Sequence, residues 1–178
     1  MSGEDVKERL AVALTLTIAG KAHKIIAGSI KRVALDLWSW GFEGEVEFPQ
    51  VGVALFVIGP GEPIGMYHWE ADQEGFLVLS GEAILIVEGQ ERPLRRWDFF
   101  HCPPGTEHII VGASDEPAVV LAVGARGRRR KGLVYPVSQT AVKRGAGVKK
   151  ETVDASEAYG GFADWKRSEY REGWLPDL

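Results

Sequence analysis

The sequence predicts an all-β protein built from antiparallel sheet, in the form of a sandwich or a barrel. Three observations point there. Short apolar runs at 33–40, 51–58, 76–80, 83–87, 97–102, 108–111 and 118–123 recur between turn residues. The 22 glycines and nine prolines fall between these runs as punctuation. No helical pattern of roughly 10–15 residues separates one run from the next, which disfavours the βαβ units of a parallel sheet.

Two connections read as tight turns, Ser80-Gly81 and Glu88-Gly89-Gln90, and each joins runs of strand-like composition as a hairpin would. Ahead of the first run, residues 10–20 form an apolar stretch too short to span a bilayer. A secretory signal would want a positive segment before it, whereas Glu4, Asp5 and Glu8 offset Lys7 and Arg9. The stretch is therefore expected to be structural. Leu10, Val12, Leu14, Leu16 and Ile18 alternate as in a strand, while Val6, Leu10, Leu14 and Ile18 also make a helical stripe, and the pattern leaves both open.

After Ala125 the composition changes to a basic run, Arg126, Arg128, Arg129, Arg130 and Lys131, read as a solvated connector with phosphate contact as the alternative. Beyond it, 133–137 suits a further strand, and Asp154 with Glu157 resembles a capping box opening a short helix through Tyr159. Trp165, Tyr170 and Trp174 would be costly to leave in water, so this tail is expected to pack as structure and to hold no catalytic group.

A length of 178 residues fits one core with extensions rather than two domains. With 21 basic and 25 acidic residues the net charge is −4, so neither nucleic acid nor an anionic membrane is an expected partner. The single cysteine, Cys102, cannot form an internal disulfide, which excludes a disulfide scaffold and fits a reducing, cytoplasmic setting.

Chemistry concentrates around two of the four histidines. In an extended 65–70 segment His68 and Glu70 point to one face and Tyr67 and Trp69 to the other. Glu74 follows at the head of the next apolar run and adds a second carboxylate. An imidazole beside two carboxylates suits a divalent first-row metal, and a second imidazole from elsewhere would complete the set. His101 is expected to pack, with a pocket acid or base as the alternative. His23 is expected at the surface, and Cys102 as a buried inert thiol. Trp38, Trp40, Trp69 and Trp97 are candidates for lining a ligand cavity, though core packing explains them as well.

These segments resemble the cupins, whose two motifs read G-x5-H-x-H-x3,4-E-x6-G and G-x5-P-x-G-x2-H-x3-N. His68, Glu74 and Gly81 fall on the first, and Pro103, Gly105 and His108 fall on the second, with fifteen residues between Gly81 and Trp97. Four positions depart: Glu70 stands for the second histidine, Glu62 for the opening glycine, Trp97 for the second motif's glycine and Gly112 for its asparagine. The resemblance implies a jelly-roll β-barrel over 41–125, an N-terminal extension over 1–40 and a C-terminal extension over 126–178, with short helices in the extensions.

It also implies a divalent ion held by His68, Glu70, Glu74 and His108. Two imidazoles and two carboxylates would neutralise that ion and favour manganese or iron, with nickel and zinc as further candidates. The implied function is a metal-dependent enzyme on a small oxygen-bearing molecule, by dioxygenase, decarboxylase or sugar-isomerase chemistry. The alternative is a non-catalytic small-ligand sensor, metal-bound or with His68 and His108 as packed pocket histidines. Exposed edge strands of an open barrel are expected to be covered by the extensions or by a homodimer partner.

Overall fold

A computed structural model describes residues 50–113, 115–125 and 132–161 in full, together with the backbone of five short strands outside them. Those strands are β1 (Thr17–Ile18), β2 (Lys21–Ala22), β3 (Gly28–Ser29), β4 (Leu37–Gly41) and β14 (Lys166–Arg167). The side chains of Trp38 and Trp40, and all of His23, Trp165, Tyr170 and Trp174, lie outside the described residues.

The central strands are β5 (Val51–Ile58), β6 (Trp69–Glu70), β7 (Glu74–Ser80), β8 (Glu82–Val87), β9 (Gln90–Arg95), β10 (Phe99–Cys102), β11 (His108–Gly112), β12 (Ala118–Ala125) and β13 (Leu133–Val134). Every pairing among the described residues is antiparallel. One seven-stranded sheet runs β10-β7-β12-β5-β4-β3-β14 and a three-stranded sheet runs β11-β8-β9. Two short helices lie between β13 and β14 among the described residues: α1 (Gln139–Lys143), capped by Ser138, and α2 (Ala155–Ala158), capped by Asp154. The Asp154 cap falls where the sequence expects it.

The two sheets close on one core. Alternate residues of each strand enter it: Ile58 from β5, Phe76 and Val78 from β7, Leu85 from β8, Ile110 from β11 and Val120 from β12. β11 is buried on both faces, because Ile109 and Val111 meet Tyr67, Ile86, Ala141 and Ala146 in a second cluster behind the smaller sheet. The segment carrying α1 thus covers that sheet's outer surface, and a bidentate Arg144–Glu91 pair at 2.9 Å ties it to β9.

Two sequence expectations change. Glu88-Gly89 does close a hairpin, with both residues at positive φ and Val87 opposite Gln90. Ser80-Gly81 does not: β7 and β8 belong to different sheets, and this turn carries the chain from one to the other. Gly81 has φ +73, and a Cβ there would sit 2.7 Å from the Pro117 carbonyl oxygen and the Ala118 Cα. No other residue fits so tight a corner. Trp97, expected to open a strand, instead occupies the turn before β10 with φ +73 and 64% exposure. β9 escapes the apolar-run criterion because only Leu94 of its six residues is buried. Its charges and Pro93 are what an edge strand carries.

Candidate metal centre

At one end of the core the inward positions of the large sheet shrink to Gly52, Ala54, Ala122 and Gly124, leaving a cavity of about 400 Å³. The cross-strand register places Gly124 between Glu74 and Gly52, and a Cβ at 124 would lie 3.4 Å from a Glu74 carboxylate oxygen. Small residues here give the carboxylate its room.

Three segments deliver the polar groups. β7 opens with Glu74, and β11 opens with His108, 1% exposed. His68 is locked beside His108 by a bridge in which each backbone N–H donates to the other's carbonyl, at 3.1 and 2.8 Å. As expected of an extended segment, His68 and Glu70 both face the cavity, while Tyr67 is fully buried on the opposite side. There Tyr67 donates to Glu107 and accepts from the Gly89 N–H, and burial pushes its hydroxyl pKa up.

The imidazoles are oriented by backbone carbonyls. His68 Nδ1 lies 2.7 Å from the Met66 oxygen, and His108 Nδ1 lies 3.0 Å from the Thr106 oxygen. A carbonyl only accepts, so each ring carries its proton on Nδ1 and turns the Nε2 lone pair to the cavity. Both Nε2 atoms converge on Glu74 Oε2, at 3.3 Å for His108 and 3.7 Å for His68. Glu74 Oε2 and His108 Nε2 are buried and have no hydrogen-bond partner. Two buried acceptors 3.3 Å apart repel unless a cation stands between them, either a second proton on His108 or a metal ion.

The proton alternative has a signature. Burial alone would raise the Glu74 carboxyl, but the two imidazoles hold it down at about 2. Burial alone would lower His108, but Cys102 and Glu74, which would accept from the doubly protonated ring, raise it to about 10. A divalent ion would take that proton's place, and the donor set fits one: candidate ligand atoms of His68, Glu74 and His108 lie within 4.8 Å of one another. Glu70 approaches from the side, 3.7 Å from His68 Nε2, outside that three-residue group.

The remaining sequence candidates separate. Cys102 is buried, and its Sγ lies 3.2 Å from His108 Nδ1, behind the site. His101 is exposed on β10, neither packed nor facing the cavity. Trp97 is exposed, and Trp69 is half-buried away from the cavity lining. The aromatic lining comes instead from Phe56, Phe76, Tyr135 and Tyr159. The two tyrosines come from beyond the barrel motifs, where the sequence suggested only structural packing. β13 pairs with β6, setting Leu133 opposite Glu70, and Tyr135 follows directly. Tyr159, at the end of α2, accepts from the Met66 N–H at 3.2 Å.

Residues 54–124 match a protein family described as a cupin domain. No curated protein matches the chain. Among solved structures, a protein provisionally named a sugar phosphate isomerase from Acidithiobacillus ferrooxidans is 23% identical with a TM-score of 0.52, covering 70% of this chain and 80% of its own. A cupin-superfamily sugar phosphate isomerase from Silicibacter pomeroyi is 23% identical with a TM-score of 0.50, covering 82% and 88%. At that identity the likeness speaks for the fold.

Proposed function

We propose, from the premise that residues 54–124 of this chain are a cupin domain, that the protein binds one divalent first-row metal ion and uses it on a small oxygen-bearing molecule. His68, Glu74 and His108 would hold the ion, with Glu70 as the fourth ligand. The observation that carries this reading is the convergence of two Nε2 lone pairs on a buried carboxylate oxygen that lacks a hydrogen-bond donor. The Met66 and Thr106 carbonyls support it, since they fix the tautomer that ligation requires.

When bound, such an ion polarises a carbonyl or hydroxyl oxygen of the substrate. The residues around it would orient the ligand between the aromatic side chains and keep bulk water from the inner face, and a Glu70 held off the ion would instead be the group to accept a substrate proton. Among the chemistries the cupin resemblance implies, isomerisation of a hydroxy-carbonyl compound is favoured here, because both solved neighbours above carry the name of sugar phosphate isomerases. Proton transfer between adjacent carbons of such a compound needs a carboxylate and a polarised oxygen, and the cavity offers both.

Glu70→Gln keeps the shape and removes the charge, and loss of metal affinity is expected. Unchanged affinity with lost turnover would make Glu70 the proton acceptor instead. Incubation of the metal-loaded protein with hydroxy-aldehydes tests the reaction class: exchange of the α-hydrogen with deuterated solvent is expected, and its absence across a series would favour a non-catalytic binding protein.

Cytoplasmic location is part of the same reading, with the free buried thiol of Cys102 in support. Among the described residues no helix is long and apolar enough to cross a membrane. Homodimer formation is proposed too, supported by the exposed Phe99 on edge strand β10.

A further inference from the structure

The cavity has a second polar wall that the family match does not include. Residues 54–124 carry the His/Glu cluster, whereas Tyr135 and Tyr159 arrive from the C-terminal arm. Tyr135 is 3% exposed, and its ring centroid lies 6.0 Å from that of His68. Tyr159 stacks edge-on against it at 5.9 Å and 90°.

The position of Tyr135 is built, since four independent contacts define it. β13 holds the preceding two residues on Trp69 and Glu70, and the Tyr135 backbone exchanges hydrogen bonds with Thr152 at 2.9 and 3.2 Å. Tyr159 braces its ring, and the rest of its surroundings is the apolar cluster of Met66, Val148 and Ala158. Gly65 is part of the same device, because a Cβ there would come within 2.9 Å of the Tyr159 hydroxyl.

We propose that Tyr135 is a specificity-determining residue of this site: its phenol hydrogen-bonds a second oxygen of the small molecule whose first oxygen sits at the His68–Glu74–His108 cluster. The inference rests on the metal reading above and adds a ligand class. The site takes compounds with two oxygens on neighbouring carbons, such as α-hydroxy-ketones, over compounds with one. Burial, with Tyr159 beside it, keeps the phenol a neutral hydrogen-bond donor, its pKa raised to about 12.

The test uses full-length protein loaded with Mn²⁺ and two probes of similar size, hydroxyacetone and acetone, with binding read from the paramagnetic relaxation of probe protons. The wild type is expected to bind hydroxyacetone more tightly. Tyr135→Phe keeps the ring and is expected to weaken hydroxyacetone by about 2- to 12-fold, the range of one neutral hydrogen bond, while leaving acetone and Mn²⁺ stoichiometry unchanged. Equal weakening of both probes would mean lost packing and would overturn the inference, as would a variant that discriminates like the wild type. A protein that takes up no Mn²⁺ overturns the metal reading itself, a failure distinguishable by metal content alone. Should Y135F not fold, Tyr135→Met keeps an apolar side chain of similar reach without the hydroxyl: loss of the preference for hydroxyacetone over acetone supports the inference, and a retained preference overturns it.

Discussion

The two walls of the cavity are made in different ways. The His/Glu wall comes from strand openings and one bridged segment within residues 68–108, and its imidazoles are aimed by backbone carbonyls. The phenolic wall comes from the arm at 132–161, held by short pairings and by apolar packing on the outside of the smaller sheet. Side-chain positions in the first wall follow from strand alternation, while those in the second depend on where a later segment folds back. Mutations should therefore separate them: changes in the first wall alter ion binding, and changes under the arm alter stability.

The largest expected effect is on the ion. Glu74→Gln should weaken metal binding more than ~100-fold, since even partners of ligands typically contribute 10- to 100-fold. Isothermal titration with Mn²⁺ checks it, and near-normal affinity would erase the contrast between the walls. Under the arm, Ile86 is fully buried against Tyr67, Ala141 and Ala146 and lies outside the cavity lining. Ile86→Ala should cost about 2–5 kcal/mol in denaturant unfolding and leave metal stoichiometry intact in the soluble protein.

Acidity sharpens the comparison further. With the Glu74 carboxyl held at about 2, its stabilising contribution is complete above about 4.5 and is lost as pH falls towards 2. With His108 raised to about 10, its contribution in the metal-free protein is complete below about 6.5 and is lost as pH rises towards 10. Metal-free protein should thus be most stable between those limits. Binding requires neutral His108 and releases its proton, so added Mn²⁺ should raise the melting temperature more at pH 9 than at pH 6. Thermal scans across pH with and without Mn²⁺ measure this, and a shift independent of pH would contradict it.

The smallest effect concerns the turn before β10. Trp97 holds a left-handed backbone at φ +73 where the cupin motif has glycine, and its ring gains only the Arg96 guanidinium at 5.2 Å. Trp97→Gly should stabilise by about 0.5–1 kcal/mol, relief of the backbone outweighing the loss of an exposed cation–π contact. Chemical denaturation reads it directly, and destabilisation would mean the indole packs more than its exposure suggests.

Much of this was legible in the sequence, for physical reasons. Each of the seven apolar runs overlaps a strand, because a face buried in a sheet must recur with period two. Placement of His68 and Glu70 together follows from the same alternation. What escaped has a cause in each case. β9 is an edge strand with Leu94 as its one buried residue, so no apolar pattern betrays it. Ser80-Gly81 reads as a hairpin locally, and only its long-range approach to Pro117 and Ala118 reveals a corner between sheets. Tyr135 lies in a run that reads as a strand, but nothing local places it at the cavity, since that depends on β13 reaching back to β6 across more than sixty residues.

The central claim is that His68, Glu74 and His108 hold a divalent ion, and the most direct measurement is elemental analysis of protein purified without a metal-affinity tag and then reconstituted in turn with manganese, iron, nickel and zinc. One equivalent of metal per chain is expected for the wild type, with loss of that equivalent in His108→Ala. Metal below one tenth of an equivalent after all four reconstitutions, in protein that is folded and monodisperse, would contradict it.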